Sequence, residues 1–427
     1  MTMATFWSDT FRSLRIRNFR LFFIGQFISQ TGTWMTMIAQ TLLMLEITGS
    51  GVMLGILAAC QFGPMLILGA WTGAIADRVD KRRLLFITQG GAMIQSLVFG
   101  LMVLTGNASV GWVLALATVQ GVLTAFDNPV RRSFVTEMVP AEHVANAIGL
   151  NTAIMTGSRV LGPALAGVLI GAVGYAWCFF IDGFSYIAVL AGLALMSKTE
   201  LFPSFRAEKA RGQVRAGLRY VRSHQNLFVP MVMTAIIGTL AFNFGVSTPL
   251  LITSALGGSE QAFSLFFSSM SLGALVGALA TARRKSIPRS HLIASAALFG
   301  AGMCALAVTP TLWLTYPVAF VVGLGSIGFM TSCNAILQLG AAPEFRGRVL
   351  ALQAMVFLGS TPVGGPLVGW AGDTLGNRAP VLIGGLACFA AAIWGHWAWK
   401  GRNPLQVEAT VSPVEVLGGE VFGGGAR

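Results

Sequence analysis

The chain has 427 residues, 55% hydrophobic and 10% charged, with a formal net charge of +12. Soluble domains carry about 25% charged residues, so a water-soluble globular chain is excluded. The apolar runs are each close to the roughly 20 residues that cross a bilayer as helix, and the basic surplus lies between them, which points away from nucleic acid as a partner.

Helices are predicted over 19–45, 51–76, 84–104, 110–132, 145–170, 174–196, 227–252, 261–281, 290–309, 312–338, 348–371 and 378–399. Polar, turn-rich breaks such as TGSG, TGNASVG and GDTLGNR separate them. This organises the chain as a six-helix half (1–197), a cytoplasmic linker (198–225), a second six-helix half (226–400) and a disordered cytoplasmic tail (401–427). Placing the N-terminus in the cytoplasm puts 26 of the 28 Lys and Arg residues on that side. The positive-inside rule then sets both termini in the cytoplasm, in an inner membrane. The five cysteines lie in apolar runs without metal spacing or loop pairing, and no cleavable signal is evident in the polar, basic N-terminus.

The first predicted helix carries Gln26, Gln30, Thr33, Met37 and Gln40 at spacings that share one helical face. Polar side chains avoid lipid. The stripe therefore lines a substrate cavity, or it makes interhelical hydrogen bonds worth only about 0.6 kcal/mol each. The turn after the second helix reads GAIADRVDKRR. Gly73 allows close helix approach, Asp77 can accept from a helix N-terminus, and Arg78 can pair with an acid. Near the inner end of the fourth helix, Asp127 precedes Arg131 by one turn. It is read as a gate-side ion pair with Arg131 or Arg132, or as a proton carrier.

The fifth helix contains Arg159 inside TGSRVLGPALAG. An unpaired arginine at mid-membrane costs about 2.5–3.5 kcal/mol on insertion scales, so a partner is expected. At 1.5 Å per residue Arg159 lies about 21 Å from the inner end and Asp127 only about 8 Å. Asp182 of the sixth helix is at matching depth. An Arg159–Asp182 pair is expected, either as a static brace between helices 5 and 6 or as a charge pair that moves during transport. In the linker, RGQVRAGLRYVRSH places Val214, Leu218 and Val221 on one face of a basic helix, expected to lie on the anionic inner leaflet. In the seventh predicted helix, Asn243 between Phe242 and Phe244 is the second-half candidate for the cavity.

The halves echo each other. Gly73 and Gly277, Pro140 and Pro343, Gly162–Pro163 and Gly365–Pro366, and Trp112 and Trp313 recur at offsets of 201 to 204. Such a repeat about an axis along the membrane normal is a transporter architecture, with the substrate path between the halves.

On these residues the chain resembles the major facilitator superfamily. Gly73, Asp77 and Arg78 with the basic run are similar to its cytoplasmic loop signature. GPALAG resembles the antiporter signature of its fifth helix, here Gly157, Gly162, Pro163 and Gly167. FDNPVRRSFVTEMVP and the N-terminal SLRIRNFRLFFIGQ resemble the branch with the enterobactin exporter and drug-efflux proteins. The resemblance implies two rigid halves that alternate access to a central cavity. It also implies export of a siderophore-like or drug-like molecule by proton antiport, with the proton gradient as energy source and no cofactor. The partners expected are the small-molecule substrate, protons and lipid, and the chain is expected to act as a monomer. Uptake by proton symport is the rival of the same fold. A membrane-embedded enzyme would need convergent acid, base or metal groups, and no Walker sequence for nucleotide binding is present.

Overall fold

The computed structural model describes residues 11–76, 79–202, 213–282, 284 and 287–400. Asp77, Arg78 and the tail from 401 onward lie outside them, as do the surroundings of Gly73, which itself belongs to the second helix. The first half contains α1 (Arg17–Thr48), α2 (Gly51–Ala76), α3 (Lys81–Leu104), α4 (Val110–Glu137), α5 (Val144–Val173) and α6 (Tyr175–Leu195). A linker helix (Gln213–Ser223) leads to α7, which runs as Gln225–Leu240, breaks, and resumes as Phe244–Pro249 and a π-turn Leu250–Ala255. Then follow α8 (Glu260–Ala282), α9 (Arg289–Val308), α10 (Leu312–Gly340), α11 (Pro343–Leu375) and α12 (Ala379–Trp399).

Eleven crossings among the described residues are long and apolar enough for a bilayer. The remaining one, α1, has the length, and its glutamines and threonines dilute its apolarity. The turns follow from local chemistry. Gly49 ends α1 in a left-handed conformation (φ 60°) that only glycine adopts freely, with its N–H on the Leu45 carbonyl. Asp80 caps α3 by accepting from the Arg83 amide at 3.1 Å. The basic run that follows does more than set orientation. Lys81 pairs with Glu137 at the end of α4, and Arg82 donates to the Leu193 and Ala194 carbonyls that end α6, at 2.8 and 3.0 Å.

The two halves use the same packing scheme. In the first, α1 packs on α5 and α6, α3 on α4 and α6, and α2 on α4; in the second, α7 packs on α11 and α12, α9 on α10 and α12, and α8 on α10. The halves meet through α2 against α11 and α5 against α8. Both contacts are tightest at the end of the bundle away from the linker. A β-carbon on Gly55 would sit 2.4 Å from the Gly365 carbonyl oxygen, and one on Gly369 would sit 2.0 Å from that of Gly51. These backbones therefore touch directly, as small residues permit inside membranes. Gly167 and Gly171 likewise take Ser264 and Gln261 of α8.

Asp373 locks this far end. Its carboxylate, at the end of α11, accepts from Ser50 Oγ (2.7 Å), Gly51 N (2.6 Å) and Val52 N (3.0 Å). It thus caps the N-terminus of α2 from the other half, where the helix dipole favours a negative charge.

The linker helix does not present one uniform apolar face. Val221 is buried, whereas Leu218 is exposed; Val214 is outside the side chains described. Tyr220 explains the difference: its ring stacks on Phe345 of α11 (centroids 4.1 Å apart) and its hydroxyl accepts from the Ala342 amide. The helix docks on the base of α11 with Leu218 turned away.

Candidate functional site

A cavity of about 300 Å³ opens inside the first half, between α1, α2, α3, α4 and α6, and Met155 of α5 and Leu358 of α11 complete its lining. Four of the five residues of the α1 stripe line it: Gln30, Thr33, Met37 and Gln40. Their spacing explains why, since a stripe on one face meets one environment. Gln40 accepts from Gln61 Nε2 at 2.6 Å, and Thr33 Oγ1 meets the Tyr186 hydroxyl at 3.2 Å.

Gln26 departs from the expectation. It is buried one turn nearer the linker end, where its Oε1 accepts from Arg131 Nη1 at 3.2 Å. It braces α1 against α4 and does not line the cavity. Asn243 departs too. It sits at the α7 break, buried, donating to the Thr239 carbonyl at 2.6 Å. The break frees that carbonyl, and the nearest amide satisfies it. Phe242 packs on Phe299 and Phe357 inside the second half, at 5.2 and 5.1 Å between centroids. The aromatic pair is core, and the second half adds little to the cavity wall.

Asp127 and Arg131 do come together. Arg131 Nε lies 3.2 Å from Asp127 Oδ2, and Gln89 (2.7 Å) and Thr88 (3.2 Å) donate to Oδ1. Arg131 continues to Asn128 Oδ1 at 2.6 Å. The charge is matched and both carboxylate oxygens are occupied. Arg132 lines the same end of the cavity, exposed.

Arg159 and Asp182 form no ion pair. Asp182 Oδ2 accepts from Ser96 Oγ (2.9 Å) and Thr36 Oγ1 (3.4 Å), while Oδ1 abuts Gly32, where a β-carbon would lie 2.5 Å away. Asp182 Oδ1 has no donor among the described residues. Arg159 instead lies over the Trp34 ring, 4.7 Å from its centroid. The depths match, but the azimuths do not. α1 packs between α5 and α6, so Trp34 on one flank meets Arg159 and Thr36 on the other meets Asp182. In the α5 signature, a β-carbon on Gly162 would fall 2.5 Å from Trp34 Cβ, and Gly157 faces Phe27. Pro163 sits inside a helix that continues unbroken to Val173. Glycines 157 and 162 therefore serve the α1 contact and Gly167 the α8 contact.

The cavity wall also holds amides that were not singled out from the sequence: Gln61, Gln89, Gln95 and Gln120. They were open to the same argument that found the α1 stripe, since each is an amide inside a predicted apolar helix. Gln89 Oε1 and Gln120 Oε1 have no partner among the described residues. Unmet buried acceptors cost about 1–3 kcal/mol each, so the wall suits a hydrated or ligand-holding space. Among the described residues no group of three His, Cys, Asp or Glu side chains is placed to hold a metal ion.

Two six-helix bundles of one packing scheme, joined by a linker, with an amide-bearing cavity in the first, define a multi-pass membrane transporter of the major facilitator type. The chain belongs to the transmembrane secretion effector family of that superfamily, whose model matches residues 8–403. It is 24% identical to the staphyloferrin A transporter of Staphylococcus aureus over 86% of this chain and 93% of that one. It is 21% identical to macrolide efflux protein A of Streptococcus pyogenes over the same two shares. The solved nucleoside transporter NupG shares the fold, with a TM-score of 0.72 at 12% identity, covering 91% of this chain and all of that one.

Proposed function

We propose that the protein is a secondary active exporter that moves a small organic molecule out of the cytoplasm by proton antiport. The observation that carries this reading is Asp182: a buried carboxylate in the cavity wall with two hydroxyl donors and, among the described residues, no cation and one oxygen without a donor. Asp127 keeps its charge matched by Arg131, which leaves Asp182 as the group whose protonation changes the charge of the wall. With the linker and termini in the cytoplasm, a placement that the lysine and arginine distribution supports, the halves touch at the outer end and the cavity faces inward. Cargo enters from the cytoplasm, the halves rock about the α2–α11 and α5–α8 contacts, and a proton returns through Asp182.

The cargo is siderophore-like or drug-like. The names of the relatives support that range, and so does a wall of amides and aromatics with few charges. The chain works as a monomer in the cytoplasmic membrane, driven by the proton gradient without a bound cofactor. Its linker helix lies beside the anionic inner leaflet, where basic residues are favoured.

Flux in inverted membrane vesicles tests the proposal. A panel of a siderophore, a macrolide and a cationic dye is offered with an imposed proton gradient. At least one member accumulates, and an uncoupler abolishes the accumulation. Accumulation that survives the uncoupler overturns proton antiport.

A further inference from the structure

Arg159 stands at the midpoint of a membrane helix, beside the cavity rather than among the residues that line it. Its direction can be read from α5 itself. The lipid face of α5 shows the exposed residues Leu161, Leu165 and Val168. Arg159 stands two positions before Leu161, about 200° round the helix at 3.6 residues per turn. It shares the opposite face with Ile148 and Met155, of which Ile148 is exposed and Met155 lines the cavity. Farther along the same face, Ala166 and Ile170 are buried, where the halves are closed. Arg159 therefore projects into the space between the halves, at the level where the open vestibule ends and the closed contact begins.

Its partners leave it incomplete. The guanidinium rests on Trp34, which also lines the cavity. A ring face attracts the cation and satisfies none of its five N–H donors. Among the described residues Arg159 makes no ion pair. Its backbone carbonyl accepts from Ser271 Oγ of α8, at 3.4 Å. Charge balance points the same way. Asp127 and Arg131 cancel, and Asp182 stands on the far flank of α1, which leaves, among the described residues, Arg132 on the cavity wall and Arg159 beside it as the cations without an acid.

We infer that Arg159 and Trp34 form an anion subsite that binds a carboxylate on the cargo. The planar guanidinium takes a carboxylate through two parallel N–H···O bonds, which lysine cannot copy. Trp34 holds the fork in place from one face, and the apolar body of the cargo lies along Trp34, Met37 and Phe179. The inference rests on the cavity being the cargo site.

Equilibrium dialysis of the purified full chain tests it with three matched probes: biphenyl-4-carboxylate, biphenyl-4-carboxamide and biphenyl-4-methylammonium. The wild type binds the carboxylate on the order of tenfold or more tightly than either other probe, the range of a charge-assisted pair. Arg159→Gln removes that preference and keeps the carboxamide affinity. Arg159→Lys keeps part of it and serves as the folded control. Equal binding of carboxylate and carboxamide by the wild type overturns the inference, as does a preference that survives in Arg159→Gln. Dialysis needs no gradient and no direction. A charge preference with no gradient-driven flux would sink the antiport reading and leave the subsite standing; flux without the preference would do the reverse.

Discussion

Replacing Gly55 by alanine loads one conformational state alone. The new β-carbon would lie 2.4 Å from the Gly365 oxygen and 2.5 Å from Pro366 Cα. Ordinary contact begins near 3.4 Å, so α2 and α11 must separate by about 1 Å, and the obstacle is backbone that cannot rotate away. Overpacking of this kind costs about 1–3 kcal/mol. That cost falls on the state closed at the far end and vanishes when the halves part there. The ratio of the two states therefore shifts by about 5- to 150-fold. Spin labels at Asn107 and Leu375, on opposite halves at the far end and both exposed, report the distance once the five native cysteines are replaced. The longer-distance population grows in Gly55→Ala. Gly63→Ala, with nothing within 4 Å of its new β-carbon, leaves the distribution unchanged. An identical distribution in both variants would refute the claim that the glycine contact holds the far end closed.

Two further substitutions probe the same account. Asp373→Asn weakens the cap on α2 by removing its charge, at a cost of about 1–2 kcal/mol. It should move the same label pair in the same direction, and an unchanged distance would remove Asp373 from the closure. Arg131→Leu strips Asp127 of its cation and leaves a buried charge alone, which costs about 3–5 kcal/mol. Thermal unfolding in detergent should fall well below wild type, and Arg131→Leu combined with Asp127→Asn should recover part of the loss; no recovery would mean that the pair is not the source of the defect.

Much of the fold is legible in the sequence because lipid imposes it. A bilayer admits helices with internally bonded backbones, so apolar length and turn residues mark crossings such as α2 and α10 within a residue or two. The α7 break after Leu240 was not legible. Ala241, Phe242 and Asn243 include neither proline nor glycine, and at the interruption Phe242 packs on Phe299 and Phe357, contacts that come from other helices. The site was legible to the extent that one helix carried it. The α1 stripe needs only the helical period, which correctly sent four of its five residues to one wall. Gln26 shows the limit, since its neighbour Arg131 comes from α4. Arg159 shows it more sharply. Helical rise gives depth from the sequence, and depth matched it with Asp182. Azimuth around α1 exists only once three helices are packed, and it sends the two charges to opposite flanks. Asn243 has the chemistry of a cavity residue, but its own helix supplies its partner.

The proposed antiport couples proton movement to cargo through Asp182. The most direct measurement compares wild type with Asp182→Asn in inverted vesicles, using the panel member that the wild type accumulates. Two modes are read for each: accumulation driven by a proton gradient, and exchange of labelled for unlabelled cargo at equilibrium. Asp182→Asn is expected to keep exchange, which shows an intact cavity and moving halves, and to lose gradient-driven accumulation. Accumulation at the wild-type level in Asp182→Asn would contradict it.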